Sequence, residues 1–337
     1  MKQTDKEFLT YNRQMKKLRD VKNIDCSGTP HKILLVRSGY FNLVNGYKTP
    51  FTNGKDNEGN HIYLKNTNIQ QLYDLKYFDD ELRSMLLRYI TKVEEEVRAL
   101  TAYKFDQCNS DGSTPWYDTT AYDPDTKLQN RMSTISKAYQ EISRSHLDYV
   151  QFYMNNHTHI PTWIMLKAVN FSTFIDVLDN SKKSVKHAIC ELYGMEDKKG
   201  YPNTKLLIGS LNWMRMIRNS CAHNERIYCL FRHEDKKRKG RSRILENYID
   251  KLRSAYRRKM DQQIFDLLVY LKYYLPADEY REFISNIKAE LFALKSKILP
   301  PAFDNVRAQM GIVSLDDLDQ LVSLPKNEIR YNKFDTL

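Results

Sequence analysis

The chain has 337 residues, 41 % of them hydrophobic and 28 % charged, which is long enough for a sizeable core and excludes a disordered polypeptide. Its net charge of +11 points to an anionic partner, nucleic acid first among them. The five cysteines are scattered and odd in number, which fits a reducing compartment better than a disulfide framework.

Glycine is scarce, at 11 residues, and long stretches of 3.6-residue periodicity predict an all-α fold. The segment MKQTDKEFLTYNRQ has no apolar core of the kind a secretory leader carries. The most apolar stretch, Ile264 to Leu275, is too short to span a bilayer and is broken by Asp266 and Lys272. The expectation is a cytoplasmic chain with no membrane contact.

A first helix is predicted from Asp5 to Val21, with Phe8, Leu9, Met15 and Leu18 inward, then a turn at Cys26–Pro30. A second helix is predicted over His31–Tyr47 and a loop over Lys48–Asn66, where Pro, Gly and Asn cluster. The strongest helical pattern runs from Ile69 to Tyr103, with Leu72, Leu75, Leu82, Leu86, Ile90, Val93, Val97 and Leu100 on one stripe. After a loop over Gln107–Asp125, helices are expected over Leu128–Met154 and Pro161–Asp179, the proline suiting a first turn. Another starts near Thr204. Helices over Ile244–Leu275 and Asp278–Leu299 follow, separated by Pro276, with Pro300-Pro301 ending the second. The corresponding segments are 1–67, an N-terminal helical part; 68–235, the main helical domain; 236–310, a basic run and C-terminal helices; and 311–337, a tail.

The chemistry concentrates in Arg218-Asn219-Ser220-Cys221-Ala222-His223, an R-x4-H motif at the end of the apolar run Leu206, Leu207, Ile208, Leu211, Met214, Ile217. RNA carries its own nucleophile in the 2′-hydroxyl. A histidine can take that proton or protonate the 5′-oxygen leaving group, and an arginine can hold the phosphate and stabilise the charge developing on it. Asn219 can orient the histidine or a phosphate oxygen through its amide. This chemistry requires neither metal nor cofactor. Five positions on an ideal helix turn through about 140°, so Arg218 and His223 flank an edge rather than share a face. A second copy across a dimer axis would bring two of each together. The structural alternative is a helix-end arginine in a salt bridge and a capping histidine.

The densest charge run follows the motif: Lys236, Lys237, Arg238, Lys239, Arg241 and Arg243, with Arg257, Arg258 and Lys259 nearby. A solvated loop would have the same composition, but beside the motif and with the +11 balance the run is read as a phosphate-contacting surface. Among the 23 tyrosines, Tyr40 and Tyr47 are candidates for stacking on RNA bases, with core packing as the alternative. Glu94, Glu95, Glu96 and Arg98 are read as a solvated, internally paired face rather than as a metal site or a support for Arg218. Cys221, His223, Cys229 and His233 lack the spacing of a structural zinc site.

Four ordered segments carry a family resemblance: RSGYFNLVNGYKTPF at Arg37–Phe51, IQQLYDLKYFDDELRSMLLRYITKVEEEVRA at Ile69–Ala99, PTWIMLKAVNFSTFIDVL at Pro161–Leu178 and MIRNSCAHNERIY at Met216–Tyr228. The last resembles the R-N-x-x-x-H signature of the HEPN ribonuclease superfamily. The set resembles the Abi-like family of bacterial abortive-infection proteins, the AbiD/AbiF group. The resemblance implies a HEPN-type helical bundle with additional N- and C-terminal helices, a homodimer, a role in phage defence, and RNA cleavage by Arg218 and His223 leaving 2′,3′-cyclic phosphate ends. Some relatives work with a small non-coding RNA. The sequence departs from the family pattern at Lys167 and Ser172, where an acidic residue and a glycine are usual, which questions that helix's part in substrate or dimer contact. The alternative function is a ribonucleoprotein holding a cognate non-coding RNA with its nuclease silent; a toxin neutralised by a partner is a third.

Overall fold

The computed structural model describes residues 8–110, 113–197, 199–231, 263–325 and 328–336. Among them the chain is all-α apart from one small hairpin, β1 (Thr52–Lys55) and β2 (His61–Tyr63), whose antiparallel register is bulged. The hairpin lies inside the stretch predicted as loop.

The organising element is the helix α3 (Ile69–Gln107). It starts at a capping box: Asn68 Oδ1 accepts from the Gln71 amide at 2.9 Å, and Gln71 Oε1 accepts from the Asn68 amide at 3.2 Å. Its predicted apolar stripe is buried from Leu72 to Val97. At 39 residues it is about 58 Å long, and the other helices pack around it.

Before it stand α1 (Tyr11–Lys22) and α2 (Gly28–Ser38). The predicted 31–47 helix is interrupted at Gly39, whose φ of 72° is open to glycine at no steric cost. Beyond the break, Phe41–Asn45 form one π turn. After α3 come α4 (Leu128–Ser143), α5 (Asp148–Asn156), α6 (Thr162–Ala168), α7 (Phe171–Asn180), α8 (Lys183–Leu192) and α9 (Thr204–Ala222). Two predicted helices are each divided in two. The 128–154 pattern breaks where Gln151 caps the Ser145 carbonyl at 2.7 Å. The 161–179 pattern breaks at Val169-Asn170, both extended, because Glu141 of α4 draws the Asn170 amide (2.7 Å) and Thr173 hydroxyl (2.6 Å) into a cap for α7. Helix α8 was not anticipated.

The C-terminal part holds α10 (Ile264–Tyr274), α11 (Ala277–Lys297), α12 (Pro300–Met310) and α13 (Asp316–Ser323). Pro276 separates α10 from α11 as predicted. Pro300-Pro301, expected only to end a helix, also open α12, since a first-turn residue has no amide bond to lose. Buried Lys272 ties this layer together by donating to the carbonyls of Leu321 (2.7 Å) and Leu324 (2.9 Å). No helix among the described residues is long and apolar enough to cross a membrane.

Candidate active site

Helix α9 carries the motif and runs antiparallel to α3, so Arg218 faces Glu94 while the chain after His223 reaches Asp79 and Arg83 near the start of α3. Its apolar face, Leu206, Leu207, Leu211, Trp213, Met214 and Ile217, is buried. The helix ends in a Schellman turn: Asn224, with φ 54°, donates to the Cys221 carbonyl at 3.2 Å, and Glu225 donates to the Ser220 carbonyl at 3.0 Å. His223 is therefore the C-cap residue.

The arginine half is held from three sides. Arg218 Nη2 and Nε lie 3.3 and 3.4 Å from the two Glu94 oxygens, and Nη1 donates to Asn219 Oδ1 at 3.1 Å. The guanidinium also lies 5.8 Å from the Phe171 ring centroid. Glu94 is shared: Arg98 donates to it at 2.7 Å while bonding the Leu166 carbonyl and covering the Phe174 ring at 4.8 Å. Burial pushes the Arg98 guanidinium down from its ordinary range, and Glu94 opposes that shift. One carboxylate thus serves two arginines, and Arg218 keeps a third of its side-chain surface open. The assignment of Glu94 to a solvated face is corrected: it is 8 % exposed and positions Arg218. Its neighbour Glu96 accepts from the Tyr193 (2.7 Å) and Tyr331 (2.8 Å) hydroxyls, and only Glu95 of the three is exposed.

The histidine half is different. His223 is exposed, and its ring makes no hydrogen bond to any described residue. It lines a groove of about 1300 Å³ together with Arg37, Phe41, Lys76, Arg83 and Arg226. Arg218 does not line this groove. The Asn219 side chain bonds Arg218 and not the His223 ring, while its carbonyl accepts from the His223 amide at 3.0 Å. Both features of the structural alternative are therefore present, an ion-paired Arg218 and a capping His223, yet each keeps donor surface directed outward.

Beneath the groove lies Asp79, fully buried. It accepts the amides of Ile227 (3.0 Å) and Tyr228 (2.8 Å) and the Tyr47 hydroxyl (2.9 Å), with Arg83 3.6 Å away. Burial pushes its carboxyl up, and the bonds from Tyr228 and Tyr47 and the charge of Arg83 act the other way. Arg83 in turn donates to the Glu225 carbonyl at 2.7 Å. Arg83 and Asp79 thus anchor the chain at Glu225 and at Ile227–Tyr228, directly after the turn that follows α9. Sequence reasoning missed them, although two charged positions four apart beside the stripe at Leu75, Leu82 and Leu86 were a usable signal.

Tyr47 as a stacking platform is corrected: it is 3 % exposed, its hydroxyl is committed to Asp79, and its ring stacks on Tyr228 with centroids 6.1 Å apart. Tyr40 is half-buried, with the Lys22 ammonium 5.9 Å from its ring. The nine basic candidates, Lys236, Lys237, Arg238, Lys239, Arg241, Arg243, Arg257, Arg258 and Lys259, lie outside the described residues, as does His233. Burial pushes the Cys221 thiol up to about 12, the wrong direction for a thiolate ligand, and no three His, Cys, Asp or Glu side chains among the described residues are grouped to hold a metal ion.

Neither the curated proteins nor the solved structures contain a match to this chain. The model of the Abi-like protein family matches residues 33–229, which takes in all of the groove's lining residues but Leu230 and Phe231, the Arg218–Glu94–Arg98 pairing and the whole Arg218–His223 motif. That span exceeds half of the sequence, and the chain belongs to the Abi-like protein family.

Proposed function

We propose that this protein is a HEPN-type endoribonuclease that cleaves RNA without a metal ion and acts in abortive infection. The observation that carries the reading is the division of the motif: Arg218 is preset by Glu94 and Asn219, while the His223 ring, bonded to no described residue, lines a cationic groove. A fixed, permanently charged fork suits a phosphate. An exposed imidazole at a helix end is free to exchange a proton with substrate. In the reaction the 2′-oxygen attacks the adjacent phosphorus, the bond to the 5′-oxygen breaks, and one proton passes from the 2′-hydroxyl to the departing oxygen through histidine. The products are a 2′,3′-cyclic phosphate and a 5′-hydroxyl. Membership of the Abi-like family supports the defence role.

Because Arg218 and His223 open on different sides of the α9 end, the complete site is built by two copies, with Arg218 of one copy set beside His223 of the other. The test is mixing. Arg218→Ala and His223→Ala chains, each inactive alone, are co-expressed with different tags and the mixed dimer isolated. Recovery of RNA cleavage is expected, since the Arg218→Ala copy then supplies His223 and the His223→Ala copy supplies Arg218, which restores one composite site. A mixed dimer as inactive as its parents, or a strictly monomeric active protein in sedimentation, contradicts the shared site.

A further inference from the structure

The groove beside His223 holds features that proton transfer does not use. Phe41 stands on its rim with 74 % of its surface exposed, in the π turn that follows Gly39. Single π turns recur at functional sites because they push one residue out of helical register. Its neighbours do the opposite: Tyr40 is half-buried and Tyr47 is in the core. Arg37, exposed at the end of α2, has no carboxylate partner among the described residues. Arg226 has none either, its guanidinium being bonded to the Gly46 carbonyl. The acids of the groove are already engaged, Asp80 with Lys76 at 2.6 Å and with Arg83, Glu225 with the Ser220 hydroxyl at 2.8 Å. Its uncompensated charge is therefore positive. The volume of about 1300 Å³ exceeds the roughly 300–1,000 Å³ of pockets for single small ligands, so it suits a segment of a polymer.

We propose that this groove is the binding site for the nucleotide flanking the cleaved linkage, taken as an unpaired base stacked on Phe41 with phosphates held by Arg37 and Arg226. The proposal rests on the ribonuclease reading in that His223 marks where the scissile phosphate enters. An aromatic face accepts any base that has left its stack, and an A-form duplex offers none. A linkage with splayed riboses also leaves the 2′-oxygen free to swing into line with the departing 5′-oxygen. Asn42 and Asn45 line the same groove, and an asparagine amide can both donate to and accept from a base edge.

The experiment uses the full chain and a fluorescein-labelled oligoadenylate with 2′-O-methyl riboses, which binds but lacks the nucleophile. Phe41→Ala is expected to weaken binding about tenfold, with Phe41→Trp restoring it. Arg37→Ala is expected to weaken binding and to lower the slope of log affinity against log salt by about 0.7. A blunt RNA duplex should compete poorly. The proposal is overturned if both alanine variants bind as wild type does, if the duplex competes as well as the single strand, or if Phe41→Ala changes only the oligomeric state. Should wild type leave cleavable RNA intact while the Phe41 and Arg37 effects persist, the groove assignment stands and the ribonuclease reading falls.

Discussion

His223→Ala is expected to lower RNA cleavage by about 10²–10⁴-fold, the range for removing a general acid or base, and Arg218→Ala by about 10²–10³-fold, the range for losing one stabiliser of developing charge. Neither loss should come from unfolding. The His223 ring is exposed and bonded to nothing described, so truncating it orphans no partner. Removing the Arg218 guanidinium leaves Glu94 still paired with Arg98 at 2.7 Å, so the buried carboxylate keeps a counter-charge. Both variants should therefore unfold within about 1 kcal/mol of wild type, measured by urea titration alongside the cleavage assay. The activity should persist in a chelator. Variants that lose activity together with several kcal/mol of stability would return Arg218 and His223 to a structural role.

Asp79→Ala is the substitution expected to damage the fold most. The carboxylate has no solvent exposure and gathers two backbone amides, the Tyr47 hydroxyl and the Arg83 charge. Deleting it leaves those donors buried and unmatched, and breaking a buried pair on one side costs about 3–5 kcal/mol. Each orphaned amide adds its own desolvation penalty. Asp79→Asn keeps one acceptor and should fall between alanine and wild type. Because the same carboxylate anchors Ile227 and Tyr228, whatever Asp79→Ala protein folds should also cleave poorly. A urea midpoint unchanged from wild type would show that the segment after the motif is held by something other than Asp79.

The all-α class and the central helix were legible because a stripe from Leu72 to Val97 is a long-range statement about one buried face. The breaks at Ser145 and Asn170 were not. They depend on where Gln151 and Glu141 place their side chains after folding, which no local periodicity encodes. The motif could be located, but not the fact that Arg218 and His223 face different neighbours, since that follows from α9 lying antiparallel on α3. Glu94 was placed on the wrong face, though it falls four residues after Ile90 and so on the apolar stripe. Its three-acid context read as solvated surface. The aromatic candidates failed for a related reason. Tyr47 lies inward because Asp79 offers its hydroxyl a buried acceptor, while Phe41, without a polar handle, is turned outward by the π turn beyond Gly39.

The central claim is that Arg218 and His223 cut RNA through its own 2′-hydroxyl. Sequencing RNA termini from cells expressing wild type and His223→Ala, with separate capture of cyclic-phosphate and 3′-hydroxyl ends, tests it most directly. New 2′,3′-cyclic phosphate ends paired with 5′-hydroxyl ends, present with wild type and absent with His223→Ala, are the predicted result. Identical termini from both proteins, or new ends carrying 3′-hydroxyl and 5′-phosphate, would contradict it.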